Sequence, residues 1–431
     1  MNKEKKSNLK ESVSRRDFLK NSAIAAGGVA AVSQLPFVMT AHAAPDTAIN
    51  VALVGCGGRG SGAAGNVLEA GKLVNATQPN VKIVAVADVF PEKAEGAANR
   101  FKVSKETCFS GFDAYKQAIS VPGVNYVILA TPPGVRPAHL REAMNQGKHV
   151  FMEKPVATDG PGIRSVMASG KMADQKGLKI AAGTQRRHQA GYIETIQRIQ
   201  DGAIGDVMYF RAYWNGGAIW HRGDAGSTPM EVQMRNWYHY LWICGDHIVE
   251  QHVHNLDVCN WIMGGHPVRA YGQGGRQGLG PNVSGSKWDH FAVEYEYANG
   301  VRMFSQCRQI SGTQGNVSEA VHGTKGSSNP SGMIMPNSGS RWRFRGKAVN
   351  PYVQEHVDLI NAIRTGGKLN EAQNVAESTM TAILGRESAY SGQGIEWDKA
   401  MEWKTSLVPE KLAWGPAPEA VIPIPGKWKM T

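Results

Sequence analysis

The sequence predicts an α/β protein whose first half forms a parallel sheet and whose second half is an α+β domain with a largely antiparallel sheet. Between residues 49 and 152, short apolar runs alternate with helical stretches, which is typical of strand–helix–strand units with right-handed crossovers. Beyond residue 265, apolar and polar residues alternate between glycine-rich turns, as in 291–297, which is typical of antiparallel strands with one buried face. The 431 residues are enough for two domains.

The charge and cysteine content exclude some classes of protein. The formal net charge is +11, and residues 1–43 contribute +4 of it through seven Lys/Arg and three acidic residues. Because the remaining basic residues form no long run with interleaved aromatics, we expect no nucleic-acid partner. The five cysteines are widely spaced and include no C-x-x-C pair, so neither a zinc knuckle nor a disulfide scaffold is predicted.

A glycine-rich loop follows the first predicted strand, 49–54, and precedes a predicted helix, 61–69. Its pattern, G-x-G-x-x-G, is typical of the turn that holds a dinucleotide. The first glycine makes the tight turn, the second lets a pyrophosphate approach the backbone, and the third allows the helix to pack closely on the strand. The loop residues that we expect to contact the cofactor are Gly55, Gly57, Gly58, Arg59 and Gly60.

The second predicted strand, 81–87, ends in a carboxylate, Asp88. A carboxylate at this position accepts hydrogen bonds from ribose hydroxyls and repels a 2′-phosphate, so Asp88 favours NAD over NADP. Arg59 and Arg100 leave NADP possible. The alternative is that Asp88 only caps the turn at 90–91.

Two further apolar runs, 126–129 and 150–152, are predicted strands of the same sheet. Because the carboxyl ends of parallel strands meet at one edge, the residues that follow these strands converge with the glycine loop. The residues that we expect to border the dinucleotide here are Thr131, Pro132, Glu153 and Lys154.

Four segments together resemble the Gfo/Idh/MocA family of sugar oxidoreductases (glucose–fructose oxidoreductase, inositol dehydrogenase and rhizopine catabolism). They are the ATP step at 130–132, GKHVFMEKP at 147–155, GTQRR at 183–187 and HNLD at 254–257. The resemblance covers roughly residues 49–400. It implies an N-terminal NAD(P)-binding Rossmann domain and a second domain whose sheet forms one wall of the active site and often an oligomer interface.

The resemblance also implies roles for individual residues. Lys154 matches the lysine that lies beside the nicotinamide and the reacting hydroxyl, and Gln185 falls in a segment expected to border the cofactor. His254 matches the acid/base histidine of the family. The family has an aspartate four residues before that histidine, whereas this chain has Glu250, so the sequence departs from the pattern of the proton relay.

The chemistry of alcohol oxidation favours the same three residues. A base with a pKa near the working pH removes the hydroxyl proton best, which suits His254. Glu250 would orient that imidazole from one turn away if both residues lie on one helix. Lys154 would hold the substrate oxygen. Structural roles are the alternatives: a surface lysine, a core histidine and a helix-capping glutamate.

A catalytic metal is the alternative for the same segment, because Glu250, His252 and His254 are potential ligands. Residues two apart diverge on a helix, and the H-E-x-x-H spacing is absent. We therefore predict no metal.

Aromatic residues are concentrated between 213 and 242 among polar ones. Aromatic rings with polar edges suit sugar rings, although an ordinary aromatic core gives the same pattern. The residues that we expect to contact a carbohydrate substrate are Arg187, Arg235, Trp237, Tyr238 and His252.

The N-terminus resembles a twin-arginine export signal. Arg15 and Arg16 are followed by a mildly apolar stretch, 22–38, and by an A-x-A cleavage site at 41–43. The apolar stretch is too short and too interrupted for a membrane anchor. We expect export to the periplasm by the twin-arginine machinery, which carries folded proteins, with the cofactor loaded beforehand.

These observations divide the chain into a signal peptide (1–43), a Rossmann domain (44–180), a substrate and oligomerisation domain (181–400) and a tail (401–431) that wraps the surface or a partner subunit. The expected function is NAD(P)-dependent oxidation of a secondary hydroxyl on a sugar, glycoside or polyol by a homo-oligomer with tightly bound cofactor. The alternative is an NAD-dependent glycoside hydrolase that works by transient C3 oxidation and elimination.

Overall fold

The computed structural model of the protein describes residues 47–77, 79–223, 226–280 and 283–429. The predicted export signal, residues 1–43, lies outside these residues. In the described part of the chain, no helix is long and apolar enough to cross a membrane.

A six-stranded parallel sheet with helices on both faces forms the first domain, as the strand–helix alternation predicts. Its strands are β1 (Ile49–Val54), β2 (Val81–Asp88), β3 (Cys108–Ser110), β4 (Tyr126–Leu129), β5 (His149–Met152) and β6 (Ile180–Ala182). The accompanying helices are α1 (Gly58–Val74), α2 (Pro91–Phe101), α3 (Ala114–Ser120), α4 (Arg136–Asn145) and α5 (Gly160–Lys176). The strand order is β3-β2-β1-β4-β5-β6, so the topology reverses between β1 and β4, where α/β sheets bind their ligands.

Strand β1 has core on both of its faces, which explains its continuous apolar sequence. Val51 and Leu53 pack on one side with Val67 of α1. Ala52 packs on the other side with Leu140 of α4. The polar and glycine residues that follow the strand therefore lie at the edge of the sheet rather than in it.

The second domain contains a nine-stranded sheet that is antiparallel except for one pair. Its strands are β7 (Val207–Gly216), β8 (Arg269–Gly275), β9 (His290–Glu296), β10 (Arg302–Gln309), β11 (Asn316–Gly323), β12 (Gly326–Asn329), β13 (Met333–Pro336), β14 (Trp342–Arg343) and β15 (Ile395–Glu396). They follow the order β14-β13-β12-β11-β7-β10-β9-β8-β15. The β7–β10 pair is parallel, whereas the other pairs are antiparallel.

The second half of the chain also contributes helices, some of which cover one face of this sheet. They are α6 (Ala190–Gln200), α7 (Pro229–Arg235), α8 (Leu241–Cys244), α9 (His247–Glu250), α10 (Val253–Met263), α11 (Pro351–Thr365), α12 (Ala372–Ser391) and α13 (Trp397–Met401). Alternate residues of β9, namely Phe291, Val293 and Tyr295, are buried in a core with α10 and α12. The alternation of apolar and polar residues in the sequence therefore reflects a strand with one face covered by helices and the other face more exposed.

Helix α11 belongs to the second half of the sequence but packs against the first domain. Its residues Val353, Leu359 and Ile360 share a core with Val51 of β1 and Val67 of α1. One face of the first sheet is therefore completed by residues that follow the second sheet in the chain.

The C-terminal tail, residues 402–429, follows the surface of its own chain. The Leu407 amide donates to Asp159 Oδ2 at 2.7 Å, at the start of α5. Farther along, Trp288 Nε1 donates to the Pro423 carbonyl at 3.1 Å, and Trp428 Nε1 donates to Glu387 Oε2 at 2.8 Å. The tail is thus fixed to both domains.

A buried histidine links α11 to the end of β6. His188 hydrogen-bonds through Nδ1 with Asp358 Oδ2 at 2.6 Å and through Nε2 with Glu371 Oε2 at 3.3 Å. Glu371 also accepts a hydrogen bond from the Ala182 amide at 2.7 Å. Burial lowers the pKa of His188, but hydrogen bonds and charge from the two carboxylates outweigh burial and raise this pKa to about 10.

This linkage predicts a pH-dependent stability. The folded pKa of His188 lies above its unfolded value, so its contribution is fully present below the unfolded pKa of about 6.5 and is lost as pH rises toward 10. We expect the free energy of unfolding to fall between these pH values by about 1–3 kcal/mol more in the wild type than in His188→Gln. Denaturant titrations at several pH values measure this difference, with His322→Gln as control. Parallel pH profiles for wild type and His188→Gln would contradict it.

Candidate active site

A cavity of about 910 Å³ lies at the carboxyl edge of β1, β2 and β4, between the first domain and the loops of the second. Its volume is at the upper end of the usual range for small-molecule sites, which suits a dinucleotide with a small substrate beside it. The glycine loop, Asp88, Lys154 and His254 all line it.

The glycine loop is closed toward β4 and open toward the cavity. Gly55 has φ +96°, and a Cβ there would lie 2.6 Å from the Ala130 carbonyl carbon. A Cβ on Gly60 would overlap the Gly55 carbonyl oxygen, whereas a Cβ on Gly57 would meet no atom within 4 Å. Gly58 begins α1, a 17-residue helix whose N-terminus faces the same space. This arrangement fits a pyrophosphate against Gly57 and the helix N-terminus.

Asp88 lies at the end of β2 and binds the loop as well as the following turn. Its Oδ2 accepts from the Cys56 amide at 2.7 Å, and its Oδ1 accepts from the Phe90 amide at 3.0 Å. It therefore caps the turn and lines the cavity at once. Each carboxylate oxygen has a second lone pair that can accept a ribose hydroxyl.

Arg59 and Glu153, two predicted cofactor contacts, bind each other. Arg59 Nε donates to Glu153 Oε1, and its Nη2 lies 3.6 Å from Glu355 Oε1. The guanidinium also lies over the ring of Tyr352, 4.8 Å from its centroid. Burial raises the pKa of Glu355 well above its usual range. Arg59 is thus held beside the cavity by residues of β5 and α11.

The remaining predicted cofactor contacts also line the cavity. Thr131 and Pro132 follow β4, and Thr131 Oγ1 hydrogen-bonds with His139 Nδ1 at 3.1 Å. Gln185 donates through Nε2 to the Tyr352 hydroxyl at 3.3 Å.

Lys154 and Glu250 meet across the boundary between the two domains. Lys154 Nζ donates to the main-chain carbonyl of Glu250, and it lies 3.3 Å from Glu250 Oε1. Both side chains are almost fully buried. Burial raises the pKa of Glu250, although the charges of Lys154 and Arg136 oppose this effect. Within the described chain, Glu250 Oε2 has no hydrogen-bond partner.

His254 lies in the first turn of α10, beside the ring of Trp214 at 5.8 Å between centroids and 22° between planes. Burial lowers the pKa of His254 well below its usual value, and the nearby charges of Lys154 and Arg186 lower it further. The neutral form of the imidazole is therefore favoured. Both His254 and Trp214 line the cavity.

Glu250 and His254 do not share one helix. Helix α9 ends at Glu250 and α10 begins at Val253, so the two residues belong to separate helical segments. Among the described residues, Glu250 forms its ion pair with Lys154 rather than with the imidazole. The predicted orienting contact from Glu250 to His254 is absent from this geometry.

The predicted substrate residues separate into two groups. Trp237 and Arg235 line the cavity. Arg235 lies at the Asp88 side of the cavity, where its Nε donates to Glu231 Oε1 at 2.8 Å and its Nη1 donates to Glu92 Oε1 at 3.1 Å. Arg187, Tyr238 and His252 do not line the cavity.

Buried partners explain why these three residues point elsewhere. Arg187 forms a bidentate ion pair with Asp257, and Tyr238 accepts a hydrogen bond from Gln309 Nε2 at 3.0 Å. His252 hydrogen-bonds with Ser305 Oγ at 2.7 Å. The cavity therefore gives no support to their prediction as substrate contacts. The His252 contact also removes that ring from the potential metal trio, and no group of three ligands is found among the described residues.

Several residues that border the cavity were not predicted. Arg186 is adjacent to Gln185, and its place in the GTQRR segment was a usable signal. Tyr352 and Leu412 reach the cavity from α11 and the tail, and no local pattern marks them. The cavity residues that the sequence did not indicate include Arg136, Arg186, Arg222, Gln251, Tyr352 and Leu412.

Comparison with known proteins agrees with this architecture. The family profile described as "Oxidoreductase family, NAD-binding Rossmann fold" matches residues 49–184, and the "GFO/IDH/MocA C-terminal domain" profile matches residues 192–329. The solved structure of levoglucosan dehydrogenase in complex with NADH and levoglucosan superposes with a TM-score of 0.65 at 19% identity, covering 81% of this chain and 99% of that one.

Curated relatives are similar at lower coverage. The chain is 24% identical to scyllo-inositol 2-dehydrogenase (NAD(+)) of Bacillus subtilis over 46% of its own length and 50% of the relative, so it spans about half of that protein. It is 24% identical to inositol 2-dehydrogenase of Rubrobacter xylanophilus over 71% of this chain and 77% of that one. Since the two family profiles together cover more than half of the sequence, the chain belongs to the Gfo/Idh/MocA family of oxidoreductases with an NAD-binding Rossmann fold.

Proposed function

We propose that this protein oxidises a secondary hydroxyl of a sugar, glycoside or polyol with a tightly bound NAD. The observation that carries the proposal is the meeting of Lys154, Glu250 and His254 in the cavity that the glycine loop also borders. A proton acceptor and a cation beside a dinucleotide site are the groups that alcohol oxidation requires.

The chain's own residues can manage the proton. His254 lines the cavity, and burial and nearby cations favour its neutral form, the form that a general base needs to take the proton of a substrate hydroxyl. Lys154 can donate a hydrogen bond to the substrate oxygen while Glu250 balances its charge. NAD held by the glycine loop and Asp88 would supply the acceptor for the hydride that leaves the same carbon.

The aromatic wall supports a carbohydrate substrate. Trp214, Trp220 and Trp237 line the cavity, and Trp214 lies beside His254. Flat rings of this kind stack on the C–H face of a sugar while polar groups bind its hydroxyls. The names of relatives, inositol dehydrogenases and a levoglucosan dehydrogenase, point to the same class.

We also propose that the protein is exported to the periplasm by the twin-arginine machinery and acts as a homo-oligomer. The support is the sequence of residues 1–43 and the usual behaviour of the family's second domain. Export of a folded protein into a space without free NAD favours a cofactor that stays bound.

A substrate panel tests the proposed reaction. We expect NADH absorbance to appear with sugars or polyols such as myo-inositol and levoglucosan, in a single turnover if the cofactor is retained. 4-Nitrophenyl glycosides incubated without added NAD should release no nitrophenol. Nitrophenol release would favour the glycoside hydrolase that uses transient C3 oxidation and elimination.

The proton relay gives a second prediction. His254→Ala should lower turnover about 10²–10⁴-fold, the usual share of general acid/base catalysis. Lys154→Ala should lower turnover by a comparable factor. It should also weaken cofactor binding, because Lys154 lies between the cofactor side and the substrate side of the cavity. Glu250→Gln should lower turnover less, and its double mutant with Lys154→Ala should be far from additive, because these two residues form one ion pair.

Steady-state kinetics and NADH titration measure these effects, and His322→Ala, on the outer face of the second sheet, is the matched control. If Glu250→Gln abolished activity while His254→Ala kept most of it, the roles would be reversed. Metal analysis of the wild type would then separate that outcome from a metal site.

Asp88 gives a prediction on cofactor preference. If its carboxylate accepts ribose hydroxyls, Asp88→Ser should weaken NAD binding and shift the preference toward NADP by about 1–3 kcal/mol, the scale of a charge-assisted hydrogen bond. Parallel NADH and NADPH titrations measure it. The control is Asp201→Ser, whose exposed carboxylate accepts a hydrogen bond from Gln197 Nε2 at 3.0 Å and does not line the cavity. An unchanged ratio of the two affinities would remove Asp88 from the cofactor site.

A further inference from the structure

The Asp88 end of the cavity is covered by the C-terminal tail. In a dinucleotide site this end takes the adenosine, because the ribose carboxylate lies there. Phe90 and Phe112, which follow β2 and β3, line the cavity at this end. Leu412 of the tail also lines the cavity.

Trp414 does not line the cavity itself but packs against the rings of Phe90 and Phe112. Its centroid is 5.7 Å from that of Phe90 and 4.8 Å from that of Phe112. Phe90 is 3% exposed, and the Arg235 guanidinium, 4.2 Å from its centroid, covers it as well. Without Leu412 and Trp414, the rings of Phe90 and Phe112 would form the outer wall of the site and face water.

The tail is fixed where it crosses this wall. The Met230 amide donates to the Gly415 carbonyl at 3.0 Å, and Gln233 Nε2 donates to the Pro418 carbonyl at 2.7 Å. Both donors belong to α7, and Arg235 of the same helix lines the cavity. The tail, α7 and the residues after β2 therefore form one packed layer over the adenosine end.

We propose that the tail retains NAD by covering its adenosine half, an inference that rests on the proposed NAD dependence. Leu412 lines the cavity itself, and Trp414 acts as a positioning residue through the rings of Phe90 and Phe112. The geometry leaves the Gly57 side open to the pyrophosphate and closes the adenosine side with tail atoms. A cofactor under this layer leaves only after the Trp414 ring has separated from Phe90 and Phe112. The effect of the tail is therefore on the dissociation rate rather than on hydride transfer.

The test is the rate at which NADH dissociates, measured by stopped-flow fluorescence after mixing loaded full-length protein with excess NAD. Trp414→Ala should raise the dissociation rate constant about 10-fold, which corresponds to about 1.4 kcal/mol. Trp414→Phe, which keeps a ring on Phe112, should restore most of the retention.

The controls separate retention from folding and from the function itself. Trp414 is 44% exposed, so its truncation is compatible with folding, and Ile424→Ala changes a similarly exposed tail residue away from the cavity. If NADH dissociated at the same rate from Trp414→Ala, Ile424→Ala and wild type, this inference would be overturned and the proposed function would stand. If Trp414→Ala lowered the unfolding midpoint of the cofactor-free protein without changing the dissociation rate, the residue would be structural only. A wild type that binds no NADH would overturn the proposed cofactor and this inference together.

Discussion

The contact between Lys154 and Glu250 is the interaction on which the rest of the site depends. It joins the end of β5 to the end of α9, so it sets the distance between the cofactor side and the substrate side. Removing both charges from water costs several kcal/mol per ion, and the contact offsets this cost through a main-chain carbonyl as well as the carboxylate. Burial lowers the pKa of His254, and the charge of the same lysine lowers it further. The residue that joins the two domains therefore also acts on the electrostatic environment of the proposed base.

Much of the first domain was predictable because its signals are local. Strand β1 was predicted at 49–54 and lies there, and the carboxylate that ends β2 was identified from the sequence as well. A strand buried on both faces followed by a glycine turn needs no distant partner to be recognised. The order of the second sheet was not predictable, since the parallel pairing of β7 with β10 depends on contacts far apart in sequence. Fold class could be inferred, but strand order could not.

Site residues could be predicted only where a sequence motif directly follows a strand that ends at the site. The glycine loop and Lys154 follow strands whose ends meet, so the sequence indicated their position. His252 looked like a ligand from its neighbours in sequence, but its partner Ser305 comes from β10 and holds the ring away from the cavity. Tyr352 was not predicted, because α11 reaches the cavity by packing on α1, which is far from it in sequence. Long-range packing decides both cases.

The return of α11 to the first domain constrains the order in which the chain can fold during synthesis. The apolar groove beside α1 and β1 is filled by Val353, Leu359 and Ile360, which leave the ribosome on the order of tens of seconds after β1 at ordinary elongation rates. Until then the nascent first domain exposes an apolar surface that its own sequence cannot cover. The domain is complete only when almost the whole chain has been translated, so its final closure is essentially post-translational.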